Sequence, residues 1–186
     1  MAVSLRHVVT ASVRSQGSDS DAAARQRLDE LFKEHAAYVA RLAYRMMGRD
    51  VDIDDVVQDV FVLLLRHLGR IRQPDAVRAW LATTTVRLTR RRLRVKSLRL
   101  LLGLSDDVGL ADVRDGGSSP DERLAFRAVH AGLEGVGVNA RIAWTLRYLE
   151  EERIEDVARL CGCSKRTAKR WIARAQRAVK EALGHD

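Results

Sequence analysis

The sequence predicts an all-α protein built from two small helical domains joined by a flexible linker. The chain has 186 residues but only two prolines and few aromatic residues, and it is rich in Ala, Leu, Val and Arg, a composition that favours helices. Apolar residues recur at steps of three and four along most of the chain. No segment alternates apolar and polar residues between turn signals, as a half-buried strand would. The length lets each domain bury a core without metal or disulfides.

The domain limits follow from where the helical periodicity stops. We expect a mobile N-terminal tail over residues 1–22, a first domain over 23–97, a linker over 98–118 and a second domain over 119–186. The tail has short apolar runs followed by the polar stretch SQGSDSD, so it predicts no export signal and a cytoplasmic protein. The leucine cluster at 98–104 is too short to span a bilayer, so no membrane insertion is expected.

Three helices are predicted in the first domain. The first runs from about Asp21 to Met47, where Gly48 can end it, and the second spans about 52–68 after the capping residue Asp52. The third begins at Pro74, which suits a first helical turn, and runs to about Lys96. Its expected inward side chains are Val77, Trp80, Leu81, Thr84, Leu88 and Val95.

The second domain is predicted to contain four short helices. Ser119 to Glu122 form a capping box that starts the first, and Asn139 can cap the next. The remaining two meet at Cys161 to Ser164, where Gly162 can take a left-handed conformation and Ser164 can cap the last helix. The last helix carries one apolar stripe surrounded by basic side chains, which is typical of a helix-turn-helix; the stripe consists of Ala168, Ile172, Ala175 and Val179.

Positive charge is concentrated in two stretches. The formal net charge is +8, and residues 87–99 and 165–180 each hold seven basic residues and no acid. The segment between them is acidic, from Asp106 to Glu122. Clusters of this kind indicate a polyanionic partner such as nucleic acid. An anionic membrane surface is the competing partner, but the apolar faces have the size expected for a core.

The only cysteines, Cys161 and Cys163, are two residues apart. A pair without further Cys or a nearby His lacks the ligands of a structural zinc site, and residues at this spacing cannot form an unstrained disulfide. We therefore interpret both as small core residues and expect no metal site and no cofactor.

Acidic residues gather near the start of the second helix: Asp54, Asp55 and Asp59, with Gln58 among them. A metal-dependent nuclease site would need carboxylates from separate elements, and there is no second cluster. Acids in a first helical turn also complement the helix dipole. A docking face for a protein partner is the third interpretation, and the pattern alone does not rank it.

The third helix carries a basic outer face. Its hydroxyl and guanidinium groups suit contacts with phosphates and exposed bases; they belong to Thr83, Thr84, Thr85, Arg87, Arg90, Arg91 and Arg94. Trp80 suits the core better than a stacking platform.

The order of these parts resembles the sigma-70 family of transcription initiation factors. The segments DIDDVVQDVFVLLLRHLGRI and AVRAWLATTTVRLTRRRLR resemble region 2 of that family, and RYLEEERIEDVARLCGCSKRTAKRWIARAQRAVKEAL resembles region 4. Two such regions with no region between them is the layout of the extracytoplasmic function (ECF) group. The resemblance covers about residues 25–96 and 119–183, and the arrangement of both blocks makes it specific.

The resemblance implies roles for individual residues. The face formed by Asp54, Asp55, Gln58, Asp59 and Phe61 would bind the clamp helices of core RNA polymerase. Trp80, Thr83, Arg87, Arg90, Arg91 and Arg94 would contact the minus-ten promoter element. Ser164, Lys165, Arg166, Thr167, Lys169, Arg170, Trp171 and Arg174 would contact the minus-thirty-five element.

Two departures from the family pattern limit this transfer. Arg87 and Arg91 replace an Asn and an Asp that the family often has in its minus-ten segment, so base preference there cannot be copied from relatives. Trp171 replaces a usually basic residue and could either contact DNA or pack against Ala168 and Ala175.

The resemblance implies a factor without an active site that lends promoter specificity to RNA polymerase. Core RNA polymerase and promoter DNA are the expected partners, and an anti-sigma factor is a further hypothesis. Two rivals stay open on the residues alone. One is a stand-alone helix-turn-helix regulator, and the other is an enzyme acting on nucleic acid with Asp54, Asp55 and Asp59 as metal ligands.

Overall fold

A computed structural model describes residues 18–48, 53–71, 73–104 and 120–184. In these ranges the regular elements are α-helices and one short 3₁₀ turn, which confirms the all-α prediction. The predicted capping residues Asp52 and Ser119, the tail up to residue 17 and most of the predicted linker lie outside the described residues. No helix in the described ranges is long and apolar enough to cross a membrane.

The described helices are numbered here in chain order. They are α1 (Ser18–Met47), α2 (Ile53–His67), α3 (Pro74–Leu101), α4 (Pro120–Glu134), α5 (Val138–Tyr148), α6 (Ile154–Cys161) and α7 (Lys165–Ala182), with the 3₁₀ turn Leu68–Arg70 after α2. The helix-turn-helix consists of α6 and α7. Because α1 begins at Ser18, the last residues of the expected tail are helical.

The chain divides into two compact units. The first comprises Met1–Ala43 and Val51–Leu88, and the second comprises Tyr44–Asp50 and Thr89–Asp186. The divisions fall inside α1 and α3, whereas the sequence analysis placed the end of the first domain at residue 97, nearer the end of α3. The expected domain limits stay predictions.

The core of the first unit is built from side chains of α1, α2 and α3. Leu28, Phe61 and Leu81 are fully buried, and the rings of Phe32 and Phe61 meet edge to face with 4.8 Å between centroids. On each of the three helices the apolar residues recur at helical spacing, so the buried side chains share one face of the helix. The first unit thus holds α2 with its polar face outward.

The core of the second unit forms where α4 and α5 pack against α7. Its buried members are Leu133, Val136, Ala140, Trp144, Ala175 and Val179. Gly132 allows α4 and α7 to approach closely, because a Cβ atom at this position would lie 2.8 Å from the carbonyl oxygen of Ala178 and 2.9 Å from Cβ of Ala182. The packing fixes α7 along its apolar stripe.

Three details of the helices differ from the predictions. α3 continues past Lys96 to Leu101, because the residues that follow are good helix formers even though their apolar periodicity fades. Val95, expected to face inward, is 43% exposed. The N-cap of α5 is Gly137, with φ of 86°, so Asn139 lies in the first turn and does not cap the helix.

Candidate nucleic-acid interface

The turn between α6 and α7 has the geometry that its sequence predicts. Gly162 adopts a left-handed conformation with φ of 62° and ψ of 44°. The amide of Cys163 donates to the carbonyl of Ala158 at 2.9 Å, which closes the end of α6. The hydroxyl oxygen of Ser164 accepts from the amide of Thr167 at 3.2 Å and so caps α7. These local bonds fix the angle at which α7 leaves the turn.

The apolar stripe of α7 is buried along its whole length, as predicted. Ala168, Ile172, Ala175 and Val179 are at most 8% exposed. At 100° per residue, the opposite side of the helix carries Arg166, Arg170 and Arg177, which are exposed. This outer face therefore presents three guanidinium groups at spacings of four and seven residues.

Arg177 is a candidate contact residue that the sequence analysis did not assign to the site. Its place follows from the helical period, because it lies seven residues after Arg170 and so on the same side of α7. Lys169 and Arg174 are exposed on either side of that outer face. The basic surface of α7 is accordingly longer than predicted.

Lys165 makes an ion pair within the helix-turn-helix. Its Nζ lies 2.7 Å from Oε1 of Glu155 on α6, and both side chains are more than half exposed. The hydrogen bond from Lys165 holds the pKa of Glu155 below its usual range. The charge of Lys165 is thus partly neutralised by its neighbour, and its contact with the minus-thirty-five element stays a prediction.

Trp171 packs against the protein. Its ring is half-buried and lies against the core cluster that includes Trp144 and Ala175, which favours the packing alternative that the sequence left open. Trp144, a member of that cluster on α5, donates its indole N–H to Oε1 of Gln176 on α7 at 2.6 Å. Trp171 on α7 and Trp144 on α5 therefore both take part in the packing that holds α7 in the second unit.

The basic face of α3 is narrower than predicted. Thr83, Arg87, Arg91 and Arg94 are exposed, whereas Thr84 and Arg90 are half-buried. Thr85, expected on this face, is fully buried and donates its hydroxyl to the carbonyl of Leu81 at 2.7 Å. Its position four residues after Leu81 turns it toward the core, so it is a structural residue in this chain.

Trp80 is half-buried on α3. Its ring lies 5.5 Å from the ring of His67, at the end of α2. A half-buried indole can support the helix and still expose one edge. This position is compatible with both interpretations of Trp80 as a core side chain and as part of the minus-ten surface.

The acidic face of α2 lies at the start of that helix. Asp54, Asp55 and Asp59 are exposed and Gln58 is half-buried. Phe61 is fully buried against Phe32, so it cannot offer its ring to a partner and instead holds α2 in place. The polar part of the predicted docking face is accessible, and its aromatic member belongs to the core.

No cluster of three or more His, Cys, Asp or Glu side chains suited to a metal ion occurs in the described ranges. Cys161 is buried and Cys163 is half-buried, and both are free thiols. Burial raises the pKa of Cys161 to about 11. This supports the interpretation of Cys161 as a small core residue.

Comparison with known proteins matches both halves of the chain to one family. The family model for Sigma-70 region 2 matches residues 31–99, and the model for Sigma-70 region 4 matches residues 122–179. The chain is 30% identical over 158 residues to the ECF RNA polymerase sigma-E factor of Haemophilus influenzae, with 78% of this chain and 81% of that protein covered.

A second relative is the ECF RNA polymerase sigma factor SigE of Mycolicibacterium smegmatis. It is 29% identical over 167 residues, which cover 88% of this chain and 64% of that protein. The chain therefore spans slightly less than two thirds of the length of that relative.

Among solved structures, the chain resembles the sigma factor RpoE from Bartonella quintana, solved in complex with the anti-sigma factor NepR. The TM-score is 0.64 at 20% identity, with 87% of this chain and 99% of that chain covered. This likeness concerns the fold. With both family models in order along the chain and the Haemophilus relative matched over most of its length, the protein belongs to the ECF group of sigma-70 factors.

Proposed function

We propose that the protein is a transcription initiation factor that binds core RNA polymerase and directs it to promoters through minus-ten and minus-thirty-five elements. The observation that carries this proposal is the capped helix-turn-helix, whose buried stripe leaves Arg166, Arg170 and Arg177 exposed on one side of α7. The same chain carries an acidic face on α2 and a basic face on α3. The protein itself performs no catalysis, and the proposed activity requires no cofactor.

α7 is the element proposed to bind duplex DNA at the minus-thirty-five element. It has 18 residues, which give a length of about 27 Å at the α-helical rise. The major groove of B-DNA is wide enough to admit an α-helix. Arg166, Arg170 and Arg177 would then contact phosphates or base edges, since guanidinium groups bind both.

α3 is proposed to bind the separated strand of the minus-ten element. Its exposed residues Thr83, Arg87 and Arg91 offer hydroxyl and guanidinium donors at helical spacing. Donors of this kind bind the backbone and the edges of unpaired bases. The half-buried Arg90 would contribute less than these three.

The start of α2 is proposed to dock on core polymerase. Exposed carboxylates at Asp54, Asp55 and Asp59 suit a basic partner surface, and the buried Phe61 keeps the helix rigid beneath them. The proposed partners, core polymerase and promoter DNA, are found in the bacterial cytoplasm. The proposed function therefore implies a cytoplasmic protein. An anti-sigma factor is a further proposed partner, supported by the complex in which the Bartonella sigma factor was solved.

Run-off transcription with purified core polymerase on genomic fragments tests this function. The wild-type protein should yield discrete start sites that core polymerase alone does not give. Asp55→Ala and Gln58→Ala should weaken polymerase binding and keep the helical circular dichroism spectrum. Asp29→Ala removes an exposed acid from α1 and serves as the matched control, with unchanged binding.

A second set of variants tests the assignment of α7. Arg170→Ala should reduce promoter binding and lower the slope of log affinity against log salt by about one unit. Arg127→Ala, which removes an exposed cation from α4, should leave that slope unchanged. If Lys169→Ala and Arg170→Ala together leave transcription intact, α7 is not the recognition helix. Tight binding to a palindrome without polymerase would favour a stand-alone regulator instead.

A further inference from the structure

The end of α3 projects an apolar surface into solvent. Every residue from Arg94 to Leu104 is exposed, although the segment is helical as far as Leu101. Leu98 is 56% exposed, Leu101 82% and Leu102 61%. Contiguous exposed apolar side chains are a common feature of surfaces that bind another molecule.

The apolar side chains form a regular seam. Val95, Leu98 and Leu102 are separated by three and four residues, which is the a and d spacing of a heptad repeat. Leu101 lies beside this seam, three residues after Leu98. Apolar side chains at this spacing pack better against the side chains of a second α-helix than against an irregular loop.

The end of this helix is fixed by its cap. Gly103 is left-handed, with φ of 66°. Its amide donates to the carbonyl of Leu100 at 3.1 Å, and the amide of Leu104 donates to the carbonyl of Arg99 at 2.9 Å. This pair of bonds closes a helix in a defined conformation. The amide of Leu102 still donates to the carbonyl of Leu98 at 3.1 Å, so Leu102 keeps its place in the seam.

Only positive charges border the seam. If Val95 occupies an a position, Arg94 falls at g and Arg99 at e, the positions that flank the interface in a helical pair. Both are exposed, and Arg94 also contacts Oδ1 of Asn139 at 3.3 Å. No acidic residue occurs between Arg87 and Leu104. A partner helix would therefore carry Asp or Glu beside its own apolar stripe.

We propose that the face formed by Arg94, Val95, Leu98, Arg99, Leu101 and Leu102 binds an acidic amphipathic helix of a partner protein. The partner supplies leucine-like side chains to the seam and carboxylates to the two arginines. This binding surface is independent of the DNA-binding role of α7 and does not require polymerase.

Other occupants fit the surface less well. A second copy of this chain would place Arg94 opposite Arg99 in a parallel pair, or each arginine near its own counterpart in an antiparallel pair, and like charges oppose both. Nucleic acid would engage the arginines and leave the leucines in water. A lipid surface would gain few buried side chains from a seam of two turns.

The test uses the full chain and two labelled synthetic peptides of three heptads. Both have Leu at a and d; one has Glu at e and g, and the other has Lys there. Fluorescence anisotropy should show the Glu peptide binding at least about tenfold more tightly than the Lys peptide, with affinity falling as salt rises. Leu98→Gln should weaken Glu-peptide binding by about tenfold or more.

Matched variants keep the result specific. Leu100→Gln replaces a leucine of similar exposure, 69%, on the other side of the helix, and should bind the Glu peptide as the wild type does. Arg94→Glu combined with Arg99→Glu should reverse the preference between the two peptides. These positions are exposed, so the circular dichroism spectrum should not change.

Three outcomes would overturn the proposal. The first is equal or absent binding of the two peptides. The second is the formation of dimers at micromolar concentration, measured by sedimentation velocity, if Leu98→Gln abolishes them. The face would then join two copies of this chain. The third is binding to vesicles of phosphatidylglycerol and phosphatidylcholine that Leu98→Gln abolishes, without discrimination between the peptides.

Discussion

Gly132 on α4 lies so close to Ala178 on α7 that a Cβ atom at position 132 would be 2.8 Å from the Ala178 carbonyl oxygen. In an exposed helix, Gly→Ala stabilises by about 1 kcal/mol. Here the two helices would have to separate, so we expect Gly132→Ala to destabilise the protein by about 1–3 kcal/mol. Urea unfolding followed by tryptophan fluorescence measures this change.

Gly135→Ala is the control for that variant. A Cβ atom at Gly135 meets nothing within 4 Å, so the free energy of unfolding should change by less than about 0.5 kcal/mol. If the two variants behave alike, the close approach of α4 and α7 does not limit stability.

Trp171 is expected to stabilise the second unit through packing. Because the half-buried ring lies against the core cluster, Trp171→Ala should lower the free energy of unfolding by about 2 kcal/mol. Trp171→Phe should keep most of the stability and most of the minus-thirty-five binding. Filter binding on promoter duplexes checks the second point, and a Phe variant that is stable yet fails to bind would place the indole on DNA.

We expect the ion pair between Lys165 and Glu155 to restrain DNA affinity. Glu155→Gln releases Lys165 and removes one negative charge from the helix-turn-helix, so promoter affinity should rise several-fold, with a salt dependence steeper by up to about one unit. Asp156→Asn also removes a charge from α6, but Asp156 pairs with Arg159, so its effect on the slope should be smaller. Equal effects of the two variants would mean that net charge alone matters.

We expect His130 to make the stability of the second unit depend on pH. Burial and the neighbouring Arg141 lower the pKa of His130 to about 3, against about 6.5 in an unfolded chain. Between these values the unfolded state binds the extra proton, so stability falls as pH drops below about 6.5, by at most about 1.4 kcal/mol per pH unit. Urea unfolding at pH 7, 6 and 5 measures this slope.

His130→Gln isolates that contribution from the other histidines. Gln does not titrate, so the variant should lose less stability than the wild type between pH 7 and 5, even if it is less stable at pH 7. Parallel curves for the two proteins would show that His130 is accessible to protons in the folded state.

The parts of the fold that were predicted correctly depend on local chemistry. The left-handed Gly162 and the capping Ser164 are determined by residues within a few positions of each other. The buried stripe of α7 follows from the helical period alone. For the same reason the exposed basic side of α7 could be derived from the sequence. Arg177 lies on that side, although the sequence analysis did not assign it to the site.

The errors concern features that depend on distant neighbours. Whether Thr85 faces solvent is decided by which side of α3 packs inward. The pairing of Lys165 with Glu155, on which the sequence analysis made no prediction, depends on the crossing angle of α6 and α7. The end of α3 was placed too early because fading periodicity indicates an unburied face and does not by itself end a helix.

The burial of Cys161 determines how readily this thiol of the helix-turn-helix is oxidised. Peroxides attack thiolates, and a thiol with a pKa of about 11 is almost wholly protonated at neutral pH. Its side chain is only 3% exposed, so oxidants also reach it poorly. Oxidation should therefore spare Cys161, and the packing of Cys161 at the end of α6 should persist during oxidative stress.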